Sequence, residues 1–195
     1  MEHGTCDLFA VVVIGGSAGG IRAVSAIVSS LPAGFPVPVV VALHQRGGEP
    51  PYWPEYLARH SELRVVEAED KMELAGGTVY CAPADYHLMV EEGGTLALSV
   101  DDKVNFARPS IDVLFLSAAE AFGGRTAGVV LTGANEDGAA GLAEIAARGG
   151  LALVQDPRTA EWPAMPAAAL RRVPRAVVAD LHGLARDLVR FCGCD

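Results

Sequence analysis

A serine framed by glycines, Gly15-Gly16-Ser17-Ala18-Gly19-Gly20, follows the apolar run Leu8 to Ile14 and precedes a segment with helical spacing. Three chemistries use a glycine-rich turn at such a place. A dinucleotide site needs glycine at the first, third and sixth positions so that backbone can approach a pyrophosphate. Counting from Gly15 the third position is Ser17, and His44 rather than an acidic residue ends the next apolar run. A Walker loop needs Lys then Ser or Thr after its last glycine, whereas Ile21-Arg22 follows Gly20. The remaining reading is G-x-S-x-G, Gly15 to Gly19, a sharp strand-to-helix turn that lifts a nucleophilic hydroxyl and frees backbone N-H groups for an oxyanion. The same serine could simply cap the next helix, so catalysis requires a base.

His44 ends the run Val37 to Leu43 and is the candidate base. If the two runs are neighbouring parallel strands, Ser17 and His44 emerge at the same sheet edge, within the reach that general-base catalysis demands. The plainer alternative is a histidine that only terminates a strand. The third strand-end feature is Leu131-Thr132-Gly133-Ala134-Asn135-Glu136-Asp137-Gly138. Asp137 could orient the imidazole and stabilise its charged form, or cap the helix that follows, with Glu136 as the local competitor. The chain order Ser, His, Asp differs from the Ser, Asp, His order of ordinary α/β-hydrolases.

The elements that must position these groups read as α/β. Leu8 to Ile14 is continuous and β-branched, as a strand buried on both faces requires. Helical spacing over Gly19 to Ser30, closed by Pro32, makes the crossover to a second buried strand, Val37 to Leu43. After the stretch Pro50 to Pro54 a short helix to about His60 is expected, then strands near Val65 and Val79. His87 to Val90 and Thr95 to Ser99 flank a turn and predict an antiparallel hairpin at one edge of the sheet. Alternation resumes with a helix over Ser110 to Phe122, a strand Ala127 to Leu131, a helix Asp137 to Ala147, a strand Leu151 to Val154, a helix Ala164 to Arg171, a strand Ala176 to Val178 and a helix to Phe191. The expected fold is doubly wound: a mostly parallel sheet with helices on both faces, whose ligands bind at strand carboxyl ends where the strand order reverses. A length of 195 residues suits one domain, 1-195.

A net charge of -9 without a Lys/Arg cluster opposes nucleic acid as a partner. Cys6, Cys81, Cys192 and Cys194 fall in no metal-ligand spacing, and neither metal nor organic cofactor is expected. They suit a reduced, cytoplasmic protein. The longest apolar runs are far shorter than the roughly 20 residues of a membrane span. The leader carries Glu2 and Asp7 without Lys or Arg, which argues against a signal peptide.

From about Phe9 to Val178 the chain resembles the catalytic domain of the CheB family, chemotaxis protein-glutamate methylesterases. The stretches that carry the resemblance are Val13 to Gly20, Leu43-His44, Tyr80-Cys81-Ala82-Pro83-Ala84-Asp85-Tyr86-His87, Arg108-Pro109-Ser110-Ile111-Asp112-Val113-Leu114-Phe115, Val130 to Gly133, and Asp137 to Gly141. The resemblance places the family's serine, histidine and aspartate on Ser17, His44 and Asp137. It implies hydrolysis of glutamyl methyl esters on chemoreceptor cytoplasmic helices, with methanol as product and glutamine deamidation in some relatives. It also implies oxyanion donors in the backbone of Ala18 and of the Gly133-Ala134 loop.

The chain departs from the family at Ala18, where Thr is frequent, at Ala134-Asn135-Glu136 in place of Met-Gly-Asn, and at Gln45-Arg46 in place of Met-Pro. These alter the rim rather than the triad; Arg46 could read an acidic receptor helix, or be a solvated loop residue. His87 and Asp112 read as structural or rim residues. The chain starts near the catalytic domain's first strand, so the resemblance implies a stand-alone form without a receiver domain, which leaves room for a separate regulator. The rival readings are a carboxylesterase or amidase of the same scaffold with another substrate, and an inactive binding module in a chemosensory pathway.

Overall fold

The computed structural model describes residues 9–44 and 52–193. The expected start of the first strand at Leu8, and Arg46, Cys6 and Cys194, lie outside those residues. The described elements are β1 (Val11–Gly16), α1 (Gly20–Val28), β2 (Val39–Leu43), α2 (Trp53–Ala58), β3 (Arg64–Glu67), β4 (Thr78–Cys81), β5 (His87–Val90), β6 (Leu96–Ser99), α3 (Ile111–Phe122), β7 (Thr126–Val130), α4 (Ala139–Ala147), β8 (Leu151–Gln155), α5 (Ala164–Arg172), β9 (Val177–Ala179) and α6 (Leu181–Phe191). Seven strands form one sheet in the order β3-β4-β2-β1-β7-β8-β9. Each adjacent pair is parallel.

The continuous apolar runs are explained by burial on both faces. Along β1, Val11 and Val13 pack with α3, α4 and α5 through Leu114, Leu142 and Met165. Val12 and Ile14 pack with α1, α2 and α6 through Ile27, Leu57 and Leu188. Successive side chains of a strand point to opposite faces, so one strand must be apolar at every position to serve two helical layers. The chain first builds one half of the sheet outward from β1 and then returns to build the other through β7. The strand order therefore reverses between β1 and β7, and a crevice opens at their carboxyl ends.

The expected hairpin forms, with His87 opposite Ser99 and Val90 opposite Leu96. It is a separate ribbon rather than an eighth strand of the main sheet. It is widened by residues 71–74, where the Lys71 amide donates to the Leu96 carbonyl (2.7 Å) and the Leu96 amide to the Met72 carbonyl (2.9 Å). The ribbon lies against α3, its Leu88, Val90 and Leu96 buried in the same apolar layer as Leu114 and Phe115.

Two helices start later than their polar residues suggest. The helix expected from Asp137 begins at Ala139, because Gly138 stands at its N-cap with φ 89, a left-handed conformation that L side chains rarely adopt. The helix expected from Ser110 begins at Ile111, with Ser110 extended at φ -101 and ψ 137. Both shifts release a side chain for other work. Among the described residues no helix is long and apolar enough to cross a membrane.

Candidate active site

The parallel register sets the site. Gly16 of β1 lies opposite Leu43 of β2, so Ser17 and His44 are the next residues past the same sheet edge. The His44 amide continues the ladder to the Gly16 carbonyl at 3.2 Å, and the Ser17 amide donates to the Thr132 carbonyl at 2.9 Å on the other side. Ser17 is thus clamped between β2 and the end of β7, at the point where the strand order reverses. Its turn is closed by the Gly20 amide bonding the Ser17 carbonyl at 2.7 Å, which starts α1. The reading of Ser17 as a mere helix cap fails, since α1 has no side-chain cap and Gly19 occupies the cap position.

His44 and Asp137 are in direct contact, Nε2 to Oδ2 at 2.7 Å. An ionised carboxylate only accepts, so Nε2 carries the proton and Nδ1 of the neutral ring is a free base. Nδ1 has the Asn135 amide nitrogen at 3.4 Å. Among the described residues the Ser17 hydroxyl makes no hydrogen bond, so the candidate nucleophile and the candidate base are not bonded to each other.

Asp137 is wholly buried. Its Oδ2 accepts from His44 and, at 2.7 Å, from the Ile111 amide. Its Oδ1 accepts from Asn105 Nδ2 at 2.7 Å, Ser110 Oγ at 2.9 Å and the Asp112 amide at 3.1 Å. Asp137, for which capping of α4 was the alternative reading, instead satisfies the N-terminus of α3. The amides of that first turn are unpartnered within the helix and carry the positive end of its dipole. Burial by itself pushes the Asp137 carboxyl up, but the hydrogen bonds from His44, Asn105 and the Ile111 and Asp112 amides outweigh it and hold the group below the ordinary carboxylate range.

The approach of α3 depends on missing side chains. A Cβ on Gly15 would stand 2.1 Å from Ile111 Cγ2, and one on Gly138 2.6 Å from the same atom. The first glycine of the serine turn therefore serves helix docking, which is how the α3 amides come to reach Asp137.

Two supports of the site, Asn105 and Thr132, were not singled out from the sequence, and Asp112 takes the structural role expected of it. Asn105 Nδ2 bridges Asp137 and Asp112 Oδ2, the latter at 2.8 Å. Asp112 accepts the Gly141 amide at 2.7 Å; burial pushes its carboxyl up, opposed by that amide, and the neighbouring Asp137 charge adds to the rise. Thr132 Oγ1 donates to the Ala18 carbonyl at 2.9 Å and accepts from the Trp162 amide at 2.9 Å, tying the serine turn to the loop before α5. His87, buried, accepts the Ser110 amide at Nδ1 (3.2 Å) and donates from Nε2 to the Asp102 carbonyl (3.1 Å), a structural role as expected. The Asn105 and Ser110 types alone carried no signal, although Ser110-Ile111-Asp112 opening an apolar helix is a start signature.

The remaining expectations concern backbone. Among the described residues the Ala18 and Ala134 amides have no acceptor, Ala18 being half-buried and Ala134 exposed. The Gly133 amide is committed to the Trp162 carbonyl at 3.0 Å. Asn135, Glu136 and Asp137 line a cleft of about 400 Å³ together with Ala168 and Arg171 of α5.

Comparison with known proteins identifies the family and the fold. A family model described as CheB methylesterase matches residues 12–188. A protein of Leptospira interrogans named putative protein-glutamate methylesterase/protein-glutamine glutaminase is 43% identical over 183 residues, which cover 94% of this chain and 95% of the relative. Protein-glutamate methylesterase/protein-glutamine glutaminase 1 of Carboxydothermus hydrogenoformans is 40% identical, and the match covers 91% of this chain but 51% of that longer protein. The crystal structure of the Thermotoga maritima CheB methylesterase catalytic domain superposes with a TM-score of 0.89 at 34% identity, covering 93% of this chain and 98% of that one. By sequence over nearly its whole length and by fold, the chain belongs to the CheB methylesterase family.

Proposed function

We propose that this chain is a protein-glutamate methylesterase in which Ser17 is the nucleophile, His44 the general base and acid, and Asp137 the residue that fixes the imidazole. The observation that carries the reading is the 2.7 Å contact between His44 Nε2 and a wholly buried, ionised Asp137, one strand away from the serine turn. That contact makes Nε2 the donor and leaves Nδ1 as the ring nitrogen that can take the serine proton.

In the reacting complex the Ser17 hydroxyl takes the place of the Asn135 amide at Nδ1, a tightening that apo geometries of this kind commonly require. Ser17 Oγ bonds to the ester carbonyl carbon as its proton passes to Nδ1. The carbonyl oxygen becomes an oxyanion, met by the Ala18 and Ala134 amides and by the positive end of α1. The bond to the methoxy oxygen then breaks, His44 returns the proton, and methanol leaves. Water attacks the acyl group, gives its proton to His44, and releases a glutamate carboxylate and free Ser17. Asp137 keeps its charge throughout. The names of the Leptospira and Carboxydothermus relatives pair this activity with glutaminase; an amide substrate would pass through the same acyl intermediate with ammonia as the first product.

The substrate we assign is a methylated chemoreceptor cytoplasmic helix. The test is methanol release from radiolabelled, methylated receptor fragments by the wild-type protein and by Ser17→Ala. Release by the first and not by the second is expected; equal release by both would overturn the mechanism.

A further inference from the structure

Residues 104–107 form a tight reversal beside the cleft. The Val104 amide donates to the Ala107 carbonyl at 3.2 Å and the Ala107 amide to the Val104 carbonyl at 3.0 Å. The two central residues, Asn105 and Phe106, both have left-handed φ, 52 and 62. Positive φ at both central positions is the signature of a type I′ turn, whose second central residue is ordinarily glycine. Here it is a phenylalanine, a residue for which this conformation is strained.

Nothing in the fold rewards that choice, because Phe106 is 99% exposed. The turn is nonetheless held firmly: Asn105 Nδ2 is fixed between Asp137 Oδ1 at 2.7 Å and Asp112 Oδ2 at 2.8 Å. The phenyl group is thus presented to solvent from a base anchored on the carboxylate that orients His44. It lines a cleft of about 400 Å³ together with Asn135, Glu136 and Asp137 and with Ala164 and Arg171 of α5.

We propose that Phe106 is a substrate-docking residue, an aromatic anchor that seats the receptor helix in the cleft it lines together with Asn135 and Asp137. The inference rests on the methylesterase reading given above. The wall fits a helix. Ala164 and Arg171, both exposed, lie at i and i+7 on one face of α5, and the side chain between them, Ala168, is small and buried, so no bulk on that face keeps a second helix away. Arg171 has no acidic partner among the described residues, which suits a helix that carries free glutamates between its methylated ones. A strained, exposed aromatic at the edge of a cleft breaks the local rules of turn chemistry, and such violations concentrate at functional positions.

The experiment measures KM and kcat for methanol release from a radiolabelled methylated receptor fragment, together with the thermal midpoint, for wild type, Phe106→Gly, Phe106→Tyr and the exposed-apolar control Leu116→Ala. Glycine relieves the turn, so Phe106→Gly is expected to melt no lower than wild type while its KM rises about tenfold, the loss typical of a truncated aromatic anchor. Its kcat stays within about twofold, Phe106→Tyr keeps a near-wild-type KM, and Leu116→Ala matches wild type. An unchanged KM in Phe106→Gly overturns the anchor, and so does a lowered midpoint, which would make the phenyl a support of the fold. No methanol release by wild type would overturn the methylesterase reading and this inference with it, an outcome distinct from either.

Discussion

Replacement of Asp137 by asparagine tests whether one carboxylate both aligns the base and secures a helix. The carboxylate accepts five hydrogen bonds, two at Oδ2 and three at Oδ1. An amide offers one accepting oxygen and one NH₂ group. With NH₂ in the Oδ2 position, the Ile111 amide loses its acceptor and His44 must turn its proton to Nδ1, which abolishes the base. With NH₂ at Oδ1, the Asn105 and Asp112 donors both face a donor, so the first orientation is the less costly one. An orphaned buried N-H costs about 1–3 kcal/mol, and the surviving bonds lose their charge-assisted part, offset in part by relief of burying a charge. A net loss of about 3 kcal/mol lowers the midpoint of a domain this size by roughly 6–12 °C. The wrong tautomer is expected to lower kcat by about 10⁴, the size of this effect in an unrelated serine hydrolase.

The assay pairs methanol release with thermal melts from pH 7 to pH 3. The folded Asp137 titrates below its unfolded value of about 4, so its contribution to stability is present above that value and lost as pH falls through the folded one. The gap in midpoint between wild type and Asp137→Asn should therefore narrow on acidification. A kcat within tenfold of wild type, or a gap of constant size down to pH 3, would refute the reasoning.

Gly138→Ala places a methyl group 2.6 Å from Ile111 Cγ2 at a residue with φ 89, and should cost about 1–3 kcal/mol in denaturant unfolding together with a reduced kcat as the α3 amides are displaced; a wild-type unfolding midpoint would contradict this. Cys81 is wholly buried, and burial, then the charges of Glu67 and Glu55, push its thiol up. Iodoacetamide at pH 8 should leave Cys81 unmodified in the native protein and alkylate it in denaturant, as read by peptide mass spectrometry; equal rates in both would show that the strand is not packed as described.

The sheet was legible because its strands report their surroundings locally. Val11 to Ile14 and Val39 to Leu43 are apolar at every position, which only burial on two faces explains. Ser17 and His44 could be selected because each follows such a strand directly, and Asp137 because it lies in the polar loop after β7, and strand ends on one sheet edge converge. The partners of Asp137 were not legible. Ser110 and Asn105 lie 27 and 32 residues away from it, and their meeting depends on α3 settling onto Gly15 and Gly138, a packing detail no periodicity reports. For the same reason Asp137 itself looked like a cap for the helix beside it in sequence, although it caps one reached only through the folded sheet. The hairpin was legible from its turn and alternation, but its place over α3 depends on the 71–74 segment, whose pairing is not local.

The attachment of α3 to Asp137 makes the three candidate residues unequal under mutation. Among the described residues the Ser17 side chain has no hydrogen bond to lose and His44 gives up its bond to Asp137, whereas Asp137 holds five, so a lineage released from selection for turnover could shed either of the first two at lower cost to folding. Asp137 would persist, since every folded descendant still needs an acceptor for the Ile111 and Asp112 amides. A decayed copy of this enzyme is therefore expected to keep its aspartate long after its serine has drifted. The aspartate alone attests only that the scaffold still folds, whereas an intact serine attests that the chemistry is still in use.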